Sequence, residues 1–226
     1  TEACSVALVH GEEIIARSEI APRRHTDLVL PMADALLAEA GIGRHALDAI
    51  AFGRGPGAFT GVRLAVSLAQ GMALALDLPV IPVSSLAALA LEAPEDGRDA
   101  AILAVIDARM GEVYAGCFRR GGDGMPEALD AERVCHPEAL ALPPAVAWRV
   151  VGTGWDAYAE VLRPHFGDAL LDAQGARYPQ ATHVATIAAR AFAAGRVLPA
   201  EEALPVYLRD KVALTLAERG KPQPRP

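Results

Sequence analysis

The chain has 226 residues, enough for one large domain or two small ones with a substantial buried core. Its 21 Lys and Arg residues against 28 Asp and Glu residues give a net charge of −7. A domain that binds nucleic acid by itself usually carries a basic patch, so this balance argues against a stand-alone tRNA or DNA binder.

Cysteine usage and hydropathy favour a reducing, cytoplasmic location. The three cysteines include no C-x-x-C pair, so neither a disulfide framework nor a zinc site is indicated, and Cys4 and Cys117 lie in apolar runs that suit a core. The apolar stretch 62–76 is interrupted by Ser67 and Gln70 and is expected to be too short to span a membrane. No basic segment typical of a signal peptide precedes the first apolar run.

The first elements predicted are a β-hairpin and a helix. Residues 3–9 and 14–20 have strand character and flank a His-Gly-Glu-Glu turn. A helix follows over residues 28–40, with Thr26 or Asp27 as its N-cap and Gly41 at its end. Its apolar surface is wide, so part of it is expected to face a partner. The candidate contacts on this helix are Leu28, Met32 and Leu36.

A glycine-rich loop then separates a buried strand, residues 47–52, from a long Ala-rich helix, residues 62–78. Four glycines and a proline lie within residues 53–61, and Thr60 is placed to cap the outgoing helix. Such a turn can hold an anion at the helix N-terminus, but it also serves where a strand packs tightly on its helix. Both interpretations stay open, with the structural turn favoured. The loop residues concerned are Arg54, Gly55, Pro56, Gly57, Phe59, Thr60, Gly61 and Arg63.

Small residues recur along the Ala-rich helix. Gly61, Ala65 and Ala69 fall at every fourth position and form a stripe without bulk, against which another helix can pack closely. Packing inside the fold is favoured, and a contact with another subunit is the alternative. The candidate subunit contacts on this helix are Gly61, Ala65, Leu68, Ala69 and Met72.

The second half repeats the order of hairpin, glycine turn and helix, which predicts two similar α/β lobes, residues 1–97 and 98–226. Ser84 or Ser85 caps a short helix to residue 91, and the polar residues 94–99 mark the boundary. Strands are predicted at 101–106, 113–118, 131–134 and 148–151, helices at 155–162 and 183–194, an extended segment at 204–209 and a mobile tail at 211–226.

No catalytic constellation is assembled by these residues. Asp107 and Glu112 flank a tight turn and could bind magnesium or activate water, but we favour Asp107 capping the turn and pairing with Arg109. The six histidines include no H-x-x-x-H or H-E-x-x-H spacing, so a metal site is not expected. No nucleophile elbow surrounds Ser84 or Ser85.

Residues 55–63, Gly-Pro-Gly-Ala-Phe-Thr-Gly-Val-Arg, resemble the GPGSFTG(L/V)R signature of the bacterial TsaB family, also called YeaZ. The resemblance continues over residues 79–86, 106–109, 112–114 and 205–209, and the opening residues 1–8 also resemble the family's first segment. It therefore spans nearly the whole chain. Asp107, Arg109 and Glu112 are further positions that match the family pattern.

The resemblance implies a two-lobed, actin-like and Hsp70-like ATPase fold of the α/β class, with mixed sheets flanked by helices. It also implies a non-catalytic scaffold or activator subunit. Such a subunit binds TsaD, works with TsaE, and supports threonylcarbamoyl transfer to N6 of adenosine 37 in tRNAs that read codons starting with A. The chain is then expected to meet tRNA only indirectly and to lie off the membrane. A homodimer of the isolated chain through the same surface is a further alternative.

One comparison within the resemblance concerns cofactors. TsaD-like relatives carry a metal-binding H-x-x-x-H whose matching positions here are Ser85 and Leu89, and leucine cannot bind a metal. The resemblance therefore implies that ATP or ADP and a metal belong to the partner complex, with no cofactor held by this chain. The alternative is a stand-alone ATPase or a glycoprotease-like peptidase.

Overall fold

The computed structural model describes residues 1–209, so the tail predicted at 211–226 lies outside the described residues. The chain begins with the predicted hairpin, in which β1, Ala3–His10, pairs antiparallel with β2, Glu13–Ile20. Gly11 turns the chain between them with φ of 64°. Cys4 and Leu8 of β1 point into the core, as a half-buried strand with period two requires.

Helix α1, His25–Ala40, follows the hairpin. It starts earlier than predicted, and its N-cap is Arg24 without a side-chain hydrogen bond, so the expected cap by Thr26 or Asp27 was wrong. Asp27 instead lies in the first turn, where its negative charge interacts favourably with the positive end of the helix dipole. Gly41 ends the helix in the left-handed conformation, as predicted.

A β–α–β unit comes next: β3, Ile50–Gly53, α2, Phe59–Leu76, and β4, Val80–Val83, with β3 and β4 parallel. Ala58 is the N-cap of α2, and the prediction that Thr60 caps it was wrong, because the helix already begins at Phe59. The earlier start gives α2 18 residues, so by length and composition alone it could span a membrane, contrary to the expectation that the stretch is too short.

A short helix, α3, Ser85–Ala90, begins at the predicted cap. The Ser84 hydroxyl accepts hydrogen bonds from the N–H groups of Leu86 and Ala87, both at 3.1 Å. Leu86 and Leu89 on this helix are fully buried against the larger sheet described next.

The larger sheet consists of the strands β5, Ala101–Arg109, β6, Glu112–Arg120, β7, Pro126–Ala128, β8, Arg133–Cys135, β9, Trp148–Val151, and β10, Leu170–Gln174. Their order is β10-β9-β5-β6-β7, with β8 pairing with β6. β9 runs parallel to both β5 and β10, and β6 runs antiparallel to β5. The sequence did not predict β7 or β10. Two further α-helices in the described residues are α4, Thr153–Leu162, and α5, Ala181–Ala193.

Strand β5 is the centre of this half of the molecule, because both of its faces are covered. Leu103 and Val105 pack in one core cluster with Trp155 of α4, whereas Ile102 and Ala104 pack in a second cluster with α3. A strand buried on both faces gives a continuous apolar run, which is why it was predictable.

Packing crosses the predicted lobe boundary in both directions. Helix α3 contacts β5 and β6, whereas α5 contacts all four strands of the first half. Ala200 and Ala203 also join the core cluster of α2 and β3. The division of the chain into two lobes at residue 97 stays a prediction.

The predicted core cysteines are buried. Cys4 and Cys117 are 3% and 1% exposed, and burial raises the pKa of the Cys117 thiol to about 11. The thiol therefore stays protonated at neutral pH, as expected for a structural rather than a reactive cysteine.

We predict that Ser84→Ala lowers the free energy of unfolding by about 1–2 kcal/mol, because two N–H groups of α3 lose their acceptor. Urea unfolding measures the change. Ser85→Ala is the matched control, because the Ser85 hydroxyl is not the cap, and it should change stability by less than about 0.5 kcal/mol. Equal losses for the two variants would contradict this role of Ser84.

Candidate functional site

The glycine-rich loop is packed against a segment from the end of the described chain. Gly55 has φ of 99°, and a Cβ placed on it would lie 2.9 Å from the Val206 carbonyl oxygen. The Val206 N–H donates a hydrogen bond of 2.8 Å to the Arg54 carbonyl oxygen. We call residues 203–209 the strap. Because the strap lies directly on the loop, the glycine serves a close backbone approach, which favours the structural-turn interpretation.

The strap also binds the start of α2. Arg63 donates a hydrogen bond of 2.7 Å from Nε to the Tyr207 hydroxyl, and its guanidinium carbon lies 3.7 Å from the centre of the Phe59 ring. The rings of Phe59 and Tyr207 are 5.9 Å apart. Phe59 and Tyr207 are 50% and 47% exposed, so this cluster is a surface feature.

At its other end the strap reaches the β5–β6 turn. Arg209 donates from Nη2 to the Ala108 carbonyl oxygen at 3.0 Å and pairs with the Glu112 carboxylate. Three separate parts of the family resemblance, residues 55–63, residues 106–109 with 112–114, and residues 205–209, are therefore brought together in space.

Glu132 is a residue of this region that the sequence analysis missed. Its carboxylate accepts a hydrogen bond from the Ser84 hydroxyl and lies 3.6 Å from Nη2 of Arg54. Its side chain is only 14% exposed. A single acidic residue in a loop gives no local signal, and only the fold places it beside the glycine-rich loop.

The Asp107 carboxylate is bound by the turn that follows it. Its carboxylate accepts the Arg109 N–H at 2.8 Å and pairs with the Arg109 guanidinium at 2.8 Å, as the capping interpretation predicted. These contacts hold Arg109 and Met110 at φ of 62° and 58°, a conformation that non-glycine residues rarely adopt.

Burial, and secondarily the negative charge of Asp107, raises the pKa of Tyr158. Across residues 1–209, no three His, Cys, Asp or Glu side chains are grouped so that they could hold a metal ion.

Helix α2 presents three different flanks. Its buried side is formed by Val62, Val66, Ala69 and Ala73. A neighbouring flank carries Arg63, which the strap contacts through Tyr207, and Gln70, which donates to the Ala200 carbonyl oxygen at 3.2 Å just before the strap. The other flank carries the candidate subunit contacts Gly61, Ala65, Leu68 and Met72, all half-buried.

Two of the candidate contacts belong to the interior. Ala69 is 2% exposed and Leu36 of α1 is 1% exposed, so their side chains offer no surface to a partner. For Ala69 the packing interpretation is the one that holds. Leu36 lies on the buried side of α1, and α1 packs against the hairpin, so part of its wide apolar surface faces the core. Leu28 and Met32 remain half-buried on α1.

The two positions that match the metal motif of TsaD-like relatives lie one turn apart on α3. Leu89 is 0% exposed and is part of the core that α3 shares with the larger sheet. The Ser85 N–H donates to the Gly55 carbonyl oxygen at 2.9 Å, so the start of α3 also braces the glycine-rich loop.

Comparison with known proteins identifies the family. The family model for TsaD, tRNA N6-adenosine threonylcarbamoyltransferase, matches residues 12–215. The tRNA threonylcarbamoyladenosine biosynthesis protein TsaB of Escherichia coli strain K12 is 41% identical over 216 residues, which cover 94% of this chain and 93% of that protein. The chain belongs to the TsaB family.

Solved structures agree with this assignment. YeaZ from Pseudomonas aeruginosa superposes with a TM-score of 0.84 at 44% identity, over 92% of this chain and 95% of that one. A second structure with the same values is described as an uncharacterized protein with similarity to peptidase YeaZ from the same organism. The TsaB family relationship and these superpositions confirm the predicted actin-like, Hsp70-like fold class.

We predict that Gly55→Ala destabilises the protein by about 2–4 kcal/mol, because the methyl group meets the Val206 carbonyl and φ is positive. Thermal and urea unfolding measure the loss. Gly71→Ala is the matched control, since a Cβ there has no neighbour within 4 Å in the middle of α2, and it should stabilise by about 0.5–1 kcal/mol. A Gly55→Ala protein as stable as the parent would show that the strap does not depend on this contact.

Proposed function

We propose that this chain is a non-catalytic scaffold and activator subunit for the synthesis of threonylcarbamoyladenosine in tRNA. In this role it binds a TsaD-type transferase, works with TsaE, and supports threonylcarbamoyl transfer to N6 of adenosine 37 in tRNAs that read codons starting with A. Membership of the TsaB family supports the pathway, since relatives carry that name.

The observation that carries the docking role is the poor coverage of α2. The helix is apolar enough to span a membrane by composition, yet only four of its 18 residues are buried. Apolar surface of this extent on a helix marks an interaction site. The flank of Gly61, Ala65, Leu68 and Met72 is where a helix of the partner would lie, because small residues permit close packing.

The arrangement of α3 and of the β5–β6 turn supports a non-catalytic role. Leu89 stands in the core at a position where TsaD-like relatives place a metal ligand, and an alkyl side chain supplies no donor atom. Asp107 is engaged by Arg109. We therefore assign ATP or ADP and the metal to the partner complex.

The charge of the chain fits an indirect contact with tRNA. With a net charge of −7, the surface lacks the cationic excess that phosphate binding requires, so the partner would make the main tRNA contacts. We place this work in the cytoplasm, where tRNA is modified. A homodimer of the isolated chain through the same α2 flank is the alternative use of this surface.

The second candidate function is a stand-alone ATPase or glycoprotease-like peptidase. It draws on the solved structure that is described by similarity to a peptidase. Turnover of ATP or of a glycoprotein by the pure chain, abolished by Asp107→Asn or Thr60→Ala, would establish this function in place of the proposed one. We expect no turnover above the buffer background.

The proposed function is tested by size-exclusion chromatography with light scattering on the chain mixed with its cognate TsaD-type subunit. We expect a 1:1 complex, and we expect tRNA modification by TsaD and TsaE to require this chain. Separate peaks from two folded proteins in the presence of nucleotide would overturn the scaffold role.

We predict that Ala65→Arg abolishes this complex and leaves the fold intact. An arginine in a close-packed apolar contact loses hydration and clashes with the partner, which weakens binding by at least about 100-fold. Val146→Arg is the matched control, because Val146 is 96% exposed in a loop outside α1 and α2. Both variants should keep the parent's circular dichroism and melting temperature. Wild-type affinity of the Ala65→Arg chain would show that the docking flank lies elsewhere.

A further inference from the structure

The cluster of Phe59, Arg63 and Tyr207, which we call the aromatic platform, lies on the opposite flank of α2 from the docking flank. Arg63 is two positions from both Gly61 and Ala65, about 200° around the helix. Both flanks border the exposed outer side of α2, and a helix with side chains is only about 10 Å wide. A partner that covers this outer side therefore reaches the platform as well.

The platform is preorganised by the fold. Arg63 lies on the face of Phe59, its Nε is fixed by the Tyr207 hydroxyl, and Tyr207 is held in place by the strap. The strap is in turn fixed on both sides of Tyr207, by Val206 at the loop and Arg209 at the β5–β6 turn. Groups that are already ordered lose little entropy when a partner binds.

The guanidinium group has donors left over. Among residues 1–209, neither Nη atom of Arg63 makes a hydrogen bond or an ion pair, and only Nε is engaged. Two parallel Nη donors match the two oxygens of a carboxylate, and the Phe59 ring under the guanidinium and the neighbouring Tyr207 ring reduce the water around such a pair. Exposed Phe, Tyr and Arg side chains together have the composition of an interface hot spot.

We propose that the aromatic platform is a second anchor for the partner protein, and that the free Nη edge of Arg63 captures an Asp or Glu carboxylate of that protein beside Phe59 and Tyr207. The inference rests on the proposed function and adds the chemistry of the partner's surface: an acidic residue set among apolar ones. A protein carboxylate fits better than tRNA, because the platform holds one cation on a chain of net charge −7, whereas phosphate binding uses several.

The test measures association and dissociation of the full-length chain with the TsaD-type subunit by biolayer interferometry at low and high salt. Arg63→Gln should weaken binding by at least about 30-fold, mainly through faster dissociation, because the captured carboxylate is left unpaired. Arg63→Lys keeps the charge and should keep the wild-type association rate, but it should not recover the slow dissociation, since lysine lacks the fork. Tyr207→Phe removes the hydroxyl that orients Arg63 and should weaken binding about fivefold.

Arg119→Gln is the matched control. It removes the same charge from an exposed arginine on the larger sheet, where Arg119 pairs with Glu127, and it should bind as the wild type does. Melting temperatures equal to that of the wild type exclude unfolding of the variants. As a measurement independent of these variants, a photo-crosslinking amino acid at Phe59 should label a peptide of the TsaD-type subunit that contains Asp or Glu.

The outcomes separate the two hypotheses. If the wild-type chain forms no complex, the proposed function fails and this inference falls with it. If the wild type binds and Arg63→Gln binds equally well, only the platform is overturned. Loss of tRNA retention by the complex, with unchanged protein affinity, would overturn the platform in favour of RNA. Loss of a homodimer, again with unchanged affinity, would do so in favour of a second copy of the chain.

Discussion

The contact between the strap and the glycine-rich loop is the constraint on which the site depends. The Val206 N–H donates a hydrogen bond to the Arg54 carbonyl oxygen, and the Val206 carbonyl oxygen lies directly against Gly55. No side chain larger than hydrogen fits at Gly55. Because the strap is held there, Tyr207 reaches Arg63 across a sequence separation of 144 residues, and the aromatic platform at the start of α2 follows from that position.

Two shielded charge contacts hold the same region together from different directions. Glu132 joins Ser84 to Arg54, and Glu112 joins the strap to the β5–β6 turn through Arg209. Exposed ion pairs contribute little to stability because water competes for both charges. These carboxylates are 14% and 26% exposed, so removal of either arginine would leave a partly desolvated charge behind. The main effect of the Glu132 and Glu112 contacts is to fix which segments of the chain pack together.

The sequence predicted those parts of the fold whose cause is local. The β1–β2 hairpin, the Ser84 cap and the apolar run of β5 each carry their own signal of turn, hydroxyl or continuous hydrophobicity. Strand β10 carries none, since Asp172 and Gln174 interrupt it and only its pairing with β9 makes it a strand. The same limit applies to the site: hydrophobic spacing finds an apolar helix but not which side the core covers, and it does not place a distant tyrosine on Arg63.

Helix α2 shows why one amphipathic assignment is insufficient for a helix whose apolar residues extend well beyond its buried side. A helix with one apolar stripe has one task, which is to cover the core. Here the core uses the side with Val66 and Ala73, the strap uses a second, and a third, which includes Gly61 and Ala65, is left half-covered. An isolated chain leaves that third flank in contact with water, at a cost of about 25 cal/mol per Å² of apolar surface. The apolar surface of α2 that the fold leaves uncovered is therefore available for association, as the proposed scaffold role requires.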